Sequence, residues 1–187
     1  VGGQGSFAFP AVLWLYSRMN ELKQILETLK QPEYVHVLLN PLPVYATAMG
    51  LLALVIALIM RSKPAQVLAL ILVIVGCVSV WPVSEYGEKA EDRVEAMSNK
   101  DGQEWLKAHG ERADIGQFVF YGTAVLALVT LVALWKFPKA GQWLTAITLV
   151  GALACLAVGA WISHAGGQIR HTEFRNGPPP TQSPAEH

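Results

Sequence analysis

The chain has 187 residues, 52% of them hydrophobic and 15% charged, with a mean hydropathy of +0.35. Soluble domains carry about 25% charged residues, so charge is missing here, and it is missing in long blocks. Fourteen Lys and Arg balance fourteen Asp and Glu, which argues against nucleic acid as a partner. The length suits one membrane domain and little else.

The start, Val1 to Pro10, is Gly-rich and is expected to be mobile. It lacks the charged head and apolar core of a signal peptide. A first residue other than Met leaves room for an upstream segment. Residues 11–31 mix apolar positions (Leu13, Leu15, Tyr16, Leu22, Ile25, Leu26, Leu29) with charged ones (Arg18, Glu21, Lys23, Glu27, Lys30). That mixture predicts a helix lying in the membrane interface. Residues 1–34 are therefore an N-terminal segment with an amphipathic or interfacial helix.

Residues 35–175 form the predicted transmembrane domain. The first span, about 38–60, lies in a stretch with no Asp, Glu, Lys or Arg from Tyr34 to Met60, and Arg61 and Lys63 end it. Its length covers about 30 Å of hydrocarbon. Pro41 and Pro43 stand in its first turn, where a missing N–H costs little. The second span, about 65–84, opens after Pro64 and closes near Trp81 and Pro82. An extramembrane loop, 85–113, follows; it has more acids than bases, with a short amphipathic helix expected at 87–98 and a turn at Asp101-Gly102. The third span, about 114–136, carries Phe118, Phe120 and Tyr121 at one end and Trp135 at the other. The fourth, about 141–164, has Trp143 and Trp161 near opposite ends, an interfacial girdle. The tail, 176–187, is Pro-rich and polar and is expected to be extended or disordered.

Two short turns, Arg61-Ser62-Lys63-Pro64 and Lys136-Phe137-Pro138-Lys139, join the spans in pairs. The expected fold is all-α: a polytopic membrane protein of four transmembrane helices, arranged as two hairpins in one bundle. Cys77 and Cys155 lie in apolar runs and read as small buried hydrophobes rather than a disulfide framework. The dense basic charge of both turns places them in the cytoplasm. The termini and loop 85–113 are then periplasmic, in a bacterial inner membrane.

Chemistry-bearing side chains gather on one side. His36, Asn40, His109, His164 and His171 all flank the span ends opposite the turns, as do Glu85, Glu88, Asp92 and Glu95. Neutral imidazoles on facing helices can ligate haem iron, and imidazole with carboxylate can hold Zn or Fe. Such a set could also gate protons or contact a quinone head. His187 falls in the polar tail. The chain has no C-x-x-C-H, H-E-x-x-H, P-loop or GxGxxG motif. No charged residue lies within the four cores, which argues against a coupled transporter.

At these residues the chain resembles the DUF2231-type bacterial four-helix membrane proteins, over residues 35–175. The matching stretches are His36-Val-Leu-Leu-Asn40-Pro41-Leu-Pro43, His109 before the third span, and Gly166-Gly167-Gln-Ile-Arg-His171 after the fourth. Asn40 stands where the family has a second His, and Asn is a poor haem ligand. The resemblance implies a redox-associated module with polar groups at one membrane face. It favours His36, His109 and His171 as iron ligands; with His164 from the one-sided set they are the candidate cofactor contacts, for haem b or a quinone, and bound lipid is expected. The functional expectation is an accessory subunit of a larger respiratory or photosynthetic complex, packed against other integral membrane subunits and membrane lipids. The alternative is a haem b-binding or quinone-contacting electron-transfer protein. No catalytic residues of its own are expected.

Overall fold

The computed structural model describes residues 8–177 and 179 of the chain. Every regular element in that range is helical: α1 (Ala8–Thr28), α2 (Pro32–Leu39), α3 (Pro41–Ile59), α4 (Lys63–Val78), α5 (Val80–Ala96), α6 (Lys100–Lys136) and α7 (Pro138–Arg170), then a 3-10 turn at Thr172–Phe174. Four continuous or nearly continuous rods are long and apolar enough to cross a membrane: Pro32–Ile59, Lys63–Ala96, Lys100–Lys136 and Pro138–Arg170. The protein is a polytopic membrane bundle of two close-packed helical hairpins.

The packing explains why lipid is its solvent. Many of the buried positions are small or hydroxylic, among them Ala57, Ala69, Ala127, Ala152, Thr47, Thr130 and Thr148, beside a few large ones such as Leu54, Leu70 and Phe120. Large side chains face outward, including Leu52 and Ile56 on α3, Leu68 and Leu72 on α4, Leu128 and Val132 on α6, and Val150 and Leu153 on α7. Water would penalise such a surface heavily. Hydrocarbon does not, and small interior residues let helix backbones approach closely. Four of the buried Thr, Thr123, Thr130, Thr145 and Thr148, return the hydroxyl to a carbonyl one turn back, each at 2.8 Å.

α3 packs on α4 and α7, and α6 packs on α4 and α7. The order around the bundle is therefore α3, α4, α6, α7, with α3 and α6 on one diagonal and α4 and α7 on the other. Both hairpin turns lie at the same end. At Arg61-Ser62 the backbone turns through the left-handed region, with Arg61 at φ 50°, and the Ser62 hydroxyl accepts from the Ala65 N–H at 3.4 Å. Two rods are interrupted where Pro removes an N–H. Pro41 separates α2 from α3. Pro82, four residues after Val78, leaves the Val78 carbonyl without its helical donor, and α4 gives way to α5 at Ser79.

The segment 85–113 is helical almost throughout, and the helix expected at 87–98 is the outer part of α5. α5 runs on to Ala96, α6 starts at Lys100, and only Met97–Asn99 is non-helical. The 37 residues of α6 span about 55 Å, well beyond a core of about 30 Å. Water-facing charges sustain the projecting turns, for example Lys89 with Glu85 at 2.7 Å. The turn expected at Asp101-Gly102 sits instead just upstream. Asn99 caps α6 by accepting from the Gly102 N–H at 2.9 Å, and Asp101 suits the positive helix start. Gly166-Gly167 does not end α7, which continues to Arg170. There Arg175 folds back, donating to Gln168 O at 2.8 Å and Ile169 O at 2.9 Å.

α1 matches the expected N-terminal helix but makes no extensive contact with the bundle. Its Trp14, Leu15, Tyr16, Met19, Leu22 and Leu26 are exposed. Residues 1–7, part of the start expected to be mobile, and residues 178 and 180–187 of the Pro-rich tail lie outside the described residues.

Candidate functional site

His36 and His109 come from diagonal rods and meet across the bundle at the end away from the turns. Their ring centroids are 6.3 Å apart and the planes stand at 84°. Each ring is fixed by one hydrogen bond to a main-chain carbonyl of the other helix in its own hairpin. His36 Nδ1 donates to Val83 O at 2.9 Å, and His109 Nδ1 donates to Ile162 O at 3.0 Å. A carbonyl only accepts, so the proton resides on Nδ1 of each neutral ring and Nε2 keeps its lone pair. Two acceptor nitrogens are thereby prepared, with tautomer and ring orientation set by the backbone.

The two halves build this pair by the same local device. Four residues beyond each accepting carbonyl stands a glycine against the ring. A Cβ added at Gly87 would lie 3.0 Å from His36 Cε1, and one at Gly166 would lie 3.1 Å from His109 Cε1. Serine follows the carbonyl residue in both halves, as Ser84 and Ser163. Both serines line a partly open cavity of about 60 Å³ shared with His36, Asn40, His109, Gln117, Phe120 and Gly159. Gln117 is held by its neighbours, donating to Asp114 O at 3.3 Å and accepting from the Tyr121 hydroxyl at 3.3 Å.

The other candidate histidines stand apart from this cavity. His164 is exposed and sits edge-on to Trp105, centroids 6.0 Å apart. His171 is exposed, bonds to Glu173 at 2.8 Å and stacks on Phe174. The Glu173 carboxyl is held below its ordinary value, first by its own backbone N–H and then by His171. Asn40 lines the cavity mouth. Glu85, Glu88, Asp92 and Glu95 do not line the cavity, and no group of three or more His, Cys, Asp or Glu suited to a metal occurs among the described residues. Sequence reasoning missed the two carbonyls and the glycines and serines beside them. Their signal was a shared order in both halves, His on one helix, then Val-Ser or Ile-Ser and a Gly on the next.

A haem b can be tested against this geometry. The donor set suits it: with metal–imidazole bonds of about 2 Å, two axial rings have centroids roughly 6 Å apart. The space does not. A cavity of about 60 Å³ is far below the roughly 300–1,000 Å³ of pockets that enclose large ligands. The residues as arranged do not hold a porphyrin. No family model, curated protein or solved structure matches this chain.

Proposed function

We propose that this protein is a membrane subunit of an energy-transducing assembly, respiratory or photosynthetic, and that it meets a quinol at the His36–His109 cavity. The observation that carries the reading is the pair of Nε2 lone pairs, both freed by Nδ1–H bonds to main-chain carbonyls. Such nitrogens accept protons and do not donate them. They suit the two hydroxyls of a quinol as hydrogen-bond donors, and the quinone formed by its oxidation leaves by the same opening. The cavity is partly open and lies at a span end, at the depth where a quinol head meets water. The headgroup needs to present only its hydroxyls, and each imidazole can take one proton as electrons leave for a partner subunit.

Kinship with the DUF2231-type proteins belongs to the same proposal, as do a bacterial inner membrane and periplasmic termini. The turns at 61–64 and 136–139 are then cytoplasmic, and the histidine end with its helical projections is periplasmic. One observation favours a second reading, a purely structural subunit. α1 carries exposed Trp14, Leu15, Met19 and Leu22 and lacks a partner of its own in the bundle. A neighbouring subunit or the lipid interface would cover it.

The test is titration of a short-chain ubiquinol into the protein in nanodiscs, followed by tryptophan fluorescence. Saturable binding is expected, weakened about tenfold by His36→Gln and by His109→Gln. Binding that both variants retain, with the helical fold intact, removes the reading and leaves the structural one. A Soret band lost in both variants would assign the same nitrogens to haem iron instead.

A further inference from the structure

A second pair of reactive groups lies one helical turn below the cavity, on the other diagonal. Cys77 on α4 and Cys155 on α7 are both 0% exposed, and their sulfurs are 3.9 Å apart. They belong to different hairpins. Their hydrogen bonds run in one direction: Cys155 Sγ donates to Thr123 Oγ1 at 3.3 Å, and the Thr123 hydroxyl donates to Val119 O at 2.8 Å. That leaves the Cys155 sulfur lone pairs facing Cys77, whose own sulfur lies 3.9 Å from the Thr47 hydroxyl.

We propose that Cys77 and Cys155 are a redox-active dithiol that a lipid-soluble quinone oxidises to a disulfide joining the two hairpins. Both S–H bonds break and one Sγ–Sγ bond forms. The two electrons and two protons pass to the quinone, which becomes quinol. The sulfurs must close from 3.9 Å to about 2 Å, which is within reach of side-chain rotation and a small helix shift. Water-soluble oxidants cannot approach, because the sulfurs lie inside the bundle within the membrane. A quinone can: Val80 and Gly159, three and four residues from the two cysteines, line the histidine cavity. Phe120, 1% exposed, lines that cavity and packs in the same buried cluster as both cysteines. Movement of its ring opens the way from the cavity to the sulfurs. The choice of quinone rests on the function proposed above; the pairing of the sulfurs does not.

The test uses the full chain in nanodiscs under anaerobic conditions, with a protease site placed in the Met97–Asn99 turn. After decylubiquinone treatment, denaturing alkylation is expected to find no free thiol, with one quinol formed per chain. The cleaved halves should migrate together until a reductant is added. Cys77→Ala and Cys155→Ala should each keep one free thiol and separate without reductant. Two alkylatable thiols after treatment would overturn the proposal, as would a disulfide between chains. A parallel arm with membrane-permeant diamide separates the causes. A bond formed by diamide and not by quinone rejects the quinone step while leaving the pairing intact, and the ubiquinol titration of His36→Gln judges the histidine reading independently.

Discussion

At the scale of single residues, the site depends on which nitrogen holds a proton. The carbonyls of Val83 and Ile162 place it on Nδ1 of His36 and His109. Nitrogen-15 NMR of the neutral rings should therefore show Nδ1 protonated and Nε2 bare in both. The reverse tautomer in either would break the acceptor pair. The glycines behind the rings give a second check. Replacing Gly87 or Gly166 by Val places bulk where even a Cβ comes within 3.0 or 3.1 Å of the imidazole. The ring must turn, its Nδ1 bond is lost, and quinol affinity should fall at least tenfold while circular dichroism stays helical. His36 and His109 were legible in the sequence as polar groups at one membrane face. Their separation from His164 and His171 was not. Seven residues put His164 and His171 on one face of a continuing helix, but α7 stops at Arg170. His171 then turns away to Glu173.

Elements set how closely the rods approach. A Cβ at Gly76 would sit 2.6 Å from the Thr47 backbone nitrogen and 3.0 Å from the Ala46 carbonyl carbon. Main chain cannot yield as a side chain does, so Gly76→Ala should force α3 from α4. It should cost about 2 kcal/mol, read as earlier unfolding in a graded denaturant series. The opposite hairpin end is held by Arg175, which caps the last carbonyls of α7 and reaches Asn99 Oδ1 at 3.3 Å. A cation at a helix C-terminus with carbonyl bonds contributes about 1–2 kcal/mol. Arg175→Ala should speed hydrogen exchange in the first turn of α6 and the last turn of α7, and leave the membrane spans protected. The four spans and both basic turns were readable because a missing charge over some twenty residues admits few alternatives. The helix at 87–98 was readable too, but its continuity with the spans was not, because charged residues 85–113 suit a solvated helix and a loop equally. What decided between them was the Asn99 cap and packing of Trp105, Ala108, Ala165 and Ile169 into a second small core.

At the scale of the whole molecule, the bundle has two layers along the membrane normal. The end near the turns is tied by a reciprocal amide pair, Gln66 with Gln142 at 3.1 and 3.4 Å. The far end holds the histidines. Gln66 is 1% exposed, so Gln66→Leu would leave its partner amide with no opposite number. A loss of about 1 kcal/mol is expected, and Gln66→Leu with Gln142→Leu together should cost less than the two single losses added. A strictly additive result would show that the amides do not act as a pair.

The repeated arrangement of His, accepting carbonyl and following Gly has a consequence for how such a site could arise. Two parallel hairpins, with turns at one end and a shared axis along the membrane normal, have the form of a two-fold dimer in which the copies are joined by Met97–Asn99. A single ancestral hairpin, paired with itself, would already present two identical imidazoles across the axis. The likeness is confined to that arrangement: the halves differ elsewhere, as with Asn40 against Ala113 and Val44 against Gln117 at matching distances from their histidines, and Pro41 breaks the first rod where α6 runs unbroken.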